Sequence, residues 1–157
     1  MSHERAMEVT GVTQLREKAP YELSGGQQQR AAIAGVLAMR PKIVVLDEPT
    51  SFLDPRSAEE IVGVIAKLNR ELQLTILLVE HRLDIVSRYA NRVIIMDKGS
   101  IIRDGPPSEV YAETELAGIG IPKVTSLFHL LRRDGFQLPT NPITVQQAAT
   151  ELRKLLP

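Results

Sequence analysis

Residues 23–54 read LSGGQQQRAAIAGVLAMRPKIVVLDEPTSFLD, a glycine turn opening a helix, followed by an apolar strand that ends in acids. Ser24 is a good N-cap, Gly25 and Gly26 let backbone come close to a ligand, and the helix expected from about Gln27 to Met39 points its positive end at that turn. An anion should bind there, where N–H groups without intrahelical partners converge. Arg40, Pro41 and Lys42 close the helix. The run Ile43, Val44, Val45, Leu46 then predicts a strand buried on both faces.

Asp47 and Glu48 stand where that strand runs out. In open α/β sheets ligands bind outside the carboxyl ends of the strands, and an acid beside a buried strand is costly unless it has a task. Mg²⁺ prefers oxygen ligands and keeps several waters, so Asp47 is the expected metal ligand, directly or through water. Glu48, one residue on, is the expected base that polarises an attacking water. A lone Asp-Glu pair is more often two solvated acids, but its place after IVVL and before PTSFLD makes it equipment for phosphoryl transfer.

Asp54 and Pro55 make a strong helix start, acid at the cap and proline at the first turn, and the helix should reach about Leu72. Ile61, Ile65, Leu68 and Leu72 fall on one stripe, with Glu59, Lys67, Arg70 and Glu71 on a solvated face. Thr75 to Val79 predicts a second buried strand, again with polar residues, Glu80 and His81, at its carboxyl end. A helix from Leu83 to Tyr89 leads into Arg92–Asp97, a tight turn at Lys98-Gly99 and a returning strand over Ser100–Arg103, an edge hairpin.

Upstream, Glu4 to Leu23 reads as short helices with Ala6, Met7, Val9, Val12 and Leu15 turned inward, broken at Pro20; His3 reads as a frayed terminal residue. Downstream, a short helix near Ser108 to Tyr111 precedes a linker with Gly118, Gly120 and Pro122. Val124, Leu127, Phe128 and Leu131 share one helical face, and Thr144 with Gln147 resembles a capping box for a last helix whose inner stripe is Val145, Ala148, Leu152 and Leu155. These should pack as a helical pair, with Arg132 and Arg133 in solvent.

The composition is ordinary for a globular chain, 43% hydrophobic and 24% charged over 157 residues. With 19 basic and 19 acidic residues there is no net field to gather nucleic acid, and none is expected among its partners. There is no cysteine, hence no disulfide framework or thiolate site. No apolar run approaches the roughly 18 residues that span a bilayer, so any membrane link is expected to be peripheral.

Four motifs together carry a resemblance: LSGGQ resembles the ABC signature, IVVLDE the Walker B strand, SFLD the D-loop, and Glu80-His81 the switch-histidine motif. The chain is thereby identified as similar to the ATP-binding cassette ATPases from about Ala6 to Tyr111, and its tail looks like that of the cobalt and energy-coupling-factor import ATPases. The resemblance implies the P-loop NTPase fold, a three-layer α/β/α core with a mostly parallel sheet. No GxxxxGK[ST] run occurs in the sequence, so the phosphate-loop strand is expected to be lacking, and the chain resembles the second half of a cassette, truncated or split. The expected organisation is a remnant of the helical subdomain over 1–23, the signature helix and core half over 24–112, and a helical appendage over 113–157.

By the same resemblance, ATP is the nucleotide and Mg²⁺ its cation. Ser24, Gly25, Gly26 and Gln27 would touch the γ-phosphate of a nucleotide bound to a second cassette, and Asp54 belongs to the loop that crosses to it. Asp47, as metal ligand, with Glu48 and His81 as catalytic residues, would serve the chain's own nucleotide. The strand before the phosphate loop would lie beside the one ending at His81, so without it the strands keep unpaired edges. The implied partners are a second cassette and membrane-spanning transporter subunits, at the cytoplasmic face of the cell membrane. Two other readings are a non-catalytic interaction protein that supplies only its signature face, and a soluble translation-factor type of the same superfamily. The latter usually has NHLD where this chain has SFLD.

Overall fold

Ser2 caps the first helix, α1 (His3–Thr10), in the computed structural model, which describes residues 2–112 and 120–154. The chain divides into two units, residues 1–81 and 82–157. In the first, Gly11 stops α1 with a left-handed backbone, φ +69°, and short 3₁₀ turns at Thr13–Leu15 and Pro20–Glu22 lead to α2 (Gly25–Ala38). β1 (Ile43–Asp47), α3 (Pro55–Leu72) and β2 (Thr75–Val79) follow.

The core of this unit is where three helices and one sheet face meet. Ala6 and Val9 of α1 pack with Ile33 and Leu37 of α2 and with Ile61, Ile65 and Leu68 of α3. Leu46 of β1 and Ile76 of β2 close that core from the sheet side. Each of the large aliphatic side chains enclosed there contributes roughly 1.5–3 kcal/mol relative to exposure. Helix α3 forms as its sequence predicts: the Asp54 carboxylate accepts the N–H groups of Arg56 and Ser57, Pro55 occupies the first turn, and the chain leaves through Gln73 in the left-handed region.

β1 and β2 run parallel in register from Ile43 opposite Thr75 to Asp47 opposite Val79. The expectation that both are buried on two faces is corrected here. The pleat sends Val44, Leu46, Ile76 and Leu78 inward, while the helices cover that side only, so Val45 is 62% and Leu77 51% exposed on the other. Among the described residues the two strands pair only with each other, which leaves their outer edges open as expected.

The second unit starts with α4 (Leu83–Tyr89) and the antiparallel hairpin of β3 (Val93–Asp97) and β4 (Ser100–Gly105). Its turn residues Lys98 and Gly99 both have positive φ, +47° and +80°, the backbone that a two-residue hairpin needs. Helix α5 (Pro107–Val110) covers the hairpin, and Val93, Ile95, Val110, Tyr111 and Ile143 form its core. Helices α6 (Lys123–Arg133) and α7 (Val145–Arg153) pack around Phe128, Leu138 and Ala148.

Three details of this pair differ from the sequence expectation. Leu127 and Val145 lie outside the stripe, exposed on their helices, because the core contact runs through Phe128 and Ala148. Arg132 is not simply solvated: its guanidinium donates to the Leu138 carbonyl at 2.6 Å and also to the Thr140 carbonyl and the Asn141 side chain, fastening the loop between the helices. The Thr144 hydroxyl accepts the Gln147 N–H, but the Gln147 side chain reaches back to the N–H of Ile143 rather than that of Thr144. Gly118 and Leu155, placed above in the linker and in the last stripe, lie outside the described residues.

Candidate functional site

The turn that opens α2 is built as a closed reciprocal cap. Ser24 Oγ accepts the N–H of Gln27 at 3.4 Å and Gln27 Oε1 accepts the N–H of Ser24 at 3.0 Å. This leaves the N–H groups of Gly25 and Gly26 without a protein acceptor among the described residues, at the positive end of a 14-residue helix. Neither glycine is required by the fold. A Cβ on Gly26 would meet Ser57 at 3.8 Å, and one on Gly25 would meet Leu53 at 3.5 Å, both ordinary contacts.

The second group of residues gathers at the carboxyl ends of β1 and β2. The ladder extends one step past β1, the N–H of Glu48 donating to the Val79 carbonyl at 2.9 Å. Glu48 then turns into the left-handed region at φ +44°, unusual for a residue with a side chain. Ser51 holds it there, its hydroxyl 2.8 Å from the Glu48 carbonyl and 2.9 Å from Oε2. His81 Nδ1 lies 3.9 Å from Glu48 Oε1 and 3.6 Å from Glu80 Oε1. Glu48 and His81 are both about half exposed or more, open to a ligand, whereas the Glu80 side chain is fully enclosed.

Asp47 ends β1 on the same open face as Ile43 and Val45, beside Val79. Among the described residues no group of three or more His, Cys, Asp or Glu side chains forms a metal cage. A single strand-end carboxylate suits Mg²⁺, which binds through one or two carboxylates, phosphate oxygens and waters. Asp54 is committed to α3: hydrogen bonds from the Ser57 hydroxyl first, then from the backbone N–H of Ser57, hold its carboxyl below the usual carboxylate range. The structure thus brings Glu48 and His81 together, with Asp47 adjacent. The sequence places Glu80 with His81 at the end of the second strand but gives no sign of its partner Thr50. A threonine after Glu-Pro and an acid before a histidine have no spacing rule that would pair them across 30 residues.

A serine-capped helix opening on two glycines, and a parallel strand pair that ends in acids and a histidine, stand within a mixed α/β fold. Residues 2–51 match the family described as ABC transporter. The energy-coupling factor transporter ATP-binding protein EcfA2 of Clostridium tetani is 46% identical over 96% of this chain and 54% of its own length. The ATP-binding protein EcfA1 of Caldanaerobacter subterraneus is 42% identical over 92% of this chain and 53% of its own. Among solved structures, cbiO1 from Clostridium perfringens, part of the ABC transporter complex cbiONQ, aligns with a TM-score of 0.69 at 39% identity, over 85% of this chain and 50% of that one. The chain belongs to the ABC transporter ATPase family and has the mixed α/β fold of its cassettes. It spans about half the length of the curated relatives it matches. No described helix is long and apolar enough to cross a membrane.

Proposed function

We propose that the chain is an ATP-binding and ATP-hydrolysing subunit of an ABC-type importer of the energy-coupling-factor or cobalt kind. It works against a second cassette and under membrane-spanning subunits at the cytoplasmic face of the cell membrane. The observation that carries this reading is the convergence of Glu48 and His81, Nδ1 to Oε1 3.9 Å, at the ends of two parallel strands. Glu48 accepts the proton of the attacking water, and its left-handed backbone, held by Ser51, aims the carboxylate outward. His81 contacts the γ-phosphate from the neighbouring strand end. Asp47 holds Mg²⁺, which when bound offsets negative charge on the phosphate oxygens. Ser24, Gly25, Gly26 and Gln27 receive the γ-phosphate of the nucleotide bound to the second cassette, through the N–H groups of Gly25 and Gly26, which have no acceptor among the described residues. Asp54 fixes the exit of the loop that runs between the two sites.

Because these 157 residues hold no GxxxxGK[ST] run, the β- and γ-phosphate cradle of the chain's own site comes from outside them. The test therefore supplies that piece. The chain is mixed with a phosphate-loop half taken from the Clostridium tetani relative, and hydrolysis and nucleotide retention are measured together. Glu48→Gln is expected to lower turnover by about 10²-fold or more while bound nucleotide is kept, since it removes a base and leaves the phosphate contacts. Turnover at the parent rate would show that Glu48 is not the base and would overturn the reading.

A further inference from the structure

We infer that Glu80 is the positioning residue of this site: its enclosed carboxylate, braced by the Thr50 hydroxyl, sets the place of His81 at the end of β2. The inference rests on the role given to His81 above. Burying a carboxylate is costly unless donors surround it, and here each oxygen is claimed from a different element. Oε2 accepts the hydroxyl of Thr50, a residue with no exposed surface in the loop after β1. Oε1 accepts the backbone N–H of His81 at 3.0 Å and lies 3.6 Å from its Nδ1.

Thr50 is itself fixed, since its carbonyl accepts the N–H of Leu53 at 3.1 Å and so closes the turn toward α3. The carboxylate therefore ties the loop that carries Glu48 and Ser51 to the residue that carries the imidazole. An enclosed apolar pair could fill the same space without the desolvation of a charge, but it could not hold the His81 N–H. The Glu80 side chain is enclosed, so it acts on the chemistry through His81.

The test is the side-chain NMR spectrum of histidine-labelled full chain without nucleotide, in which His3 and His129 serve as internal references. The Thr50 hydroxyl hydrogen-bonds Glu80, so Thr50→Val is expected to move the His81 ring signals through Glu80. Thr50→Ser, which keeps the hydroxyl, restores them. In a Glu80→Gln background, Thr50→Val is expected to add no further movement, the signature of two residues acting in series. His81 signals indifferent to Thr50→Val, or equal movement with and without Glu80, would overturn the inference. Loss of folding in both Thr50→Val and Glu80→Gln would also overturn it, by assigning the pair to stability alone. With the phosphate-loop half added, Glu80→Gln is expected to lower turnover about tenfold with little change in the Michaelis constant. The ring measurement uses no nucleotide, so its failure is distinct from a failure of hydrolysis at Glu48.

Discussion

Glu48 occupies a backbone that a side chain disfavours by about 1–2 kcal/mol, and neighbouring hydrogen bonds hold it there. Placing a side chain one residue past a strand in this way is what points it away from the sheet. Other single residues respond to acidity. The Asp54 carboxyl is held below its ordinary value by the Ser57 hydroxyl, and Asp104 by the two-toothed hydrogen bond from Arg92, 2.6 Å at each contact. Both have folded values below the unfolded one, so the stability they contribute is present above the usual aspartate range near ~3.9 and is lost as pH falls through the depressed folded values. Thermal unfolding followed from neutral to acid pH should show a steepening decline below that range. Asp54→Asn and Asp104→Asn should each flatten it, and an unchanged slope in both would contradict the assignment.

Helix α3 shows how much an element can disclose before its structure is seen. Asp54, Pro55 and the stripe at Ile61, Ile65 and Leu68 predict its start, its length and its buried side, and all three are found. The strands disclose less. A run such as IVVL fits a strand covered on two faces or on one, because the period of the pleat is invisible when every residue is apolar. Which side is covered depends on what packs there, and that is not written in the strand. The same holds for α6, where Val124, Leu127, Phe128 and Leu131 all qualify by spacing, but Val124, Phe128 and Leu131 reach the core around Leu138 while Leu127 stays exposed. At the site, Asp47, Glu48 and His81 were legible from their places at strand ends, whereas Thr50 and Glu80 meet only through the fold. Ile61→Ala should cost about 2–5 kcal/mol in denaturant unfolding, while Leu127→Ala, exposed on α6, should stay within about 0.5 kcal/mol. Similar losses at both positions would mean that the helix faces are misassigned.

Across the whole molecule, the signature turn is the part of the proposed machinery that needs nothing from the rest of a cassette. Its cap is complete, and the N–H groups of Gly25 and Gly26 have no acceptor among the described residues. Mixed with a full-length cassette that carries its own phosphate loop, the chain should therefore associate in the presence of ATP and not of ADP, because under the proposed function it is the γ-phosphate that meets this turn. Gly26→Glu puts a like charge and a side chain in the phosphate's place without disturbing Ser57, and association should fall at any salt concentration. Analytical ultracentrifugation of the mixtures decides it, and equal association with ATP, with ADP or with the variant would mean that another surface carries recognition.

The bare side of the β1–β2 pair has a bearing on the fate of the chain in a tube or a cell. Ile43, Val45, Leu77 and Val79 form a greasy patch, and the strands beneath it have open borders on which a neighbour could add a layer. Growth of that kind is seeded, so turbidity should appear after a lag that shortens as protein concentration rises. Val45→Lys, which plants a gatekeeper charge in the middle of the patch, should lengthen the lag without lowering the unfolding midpoint.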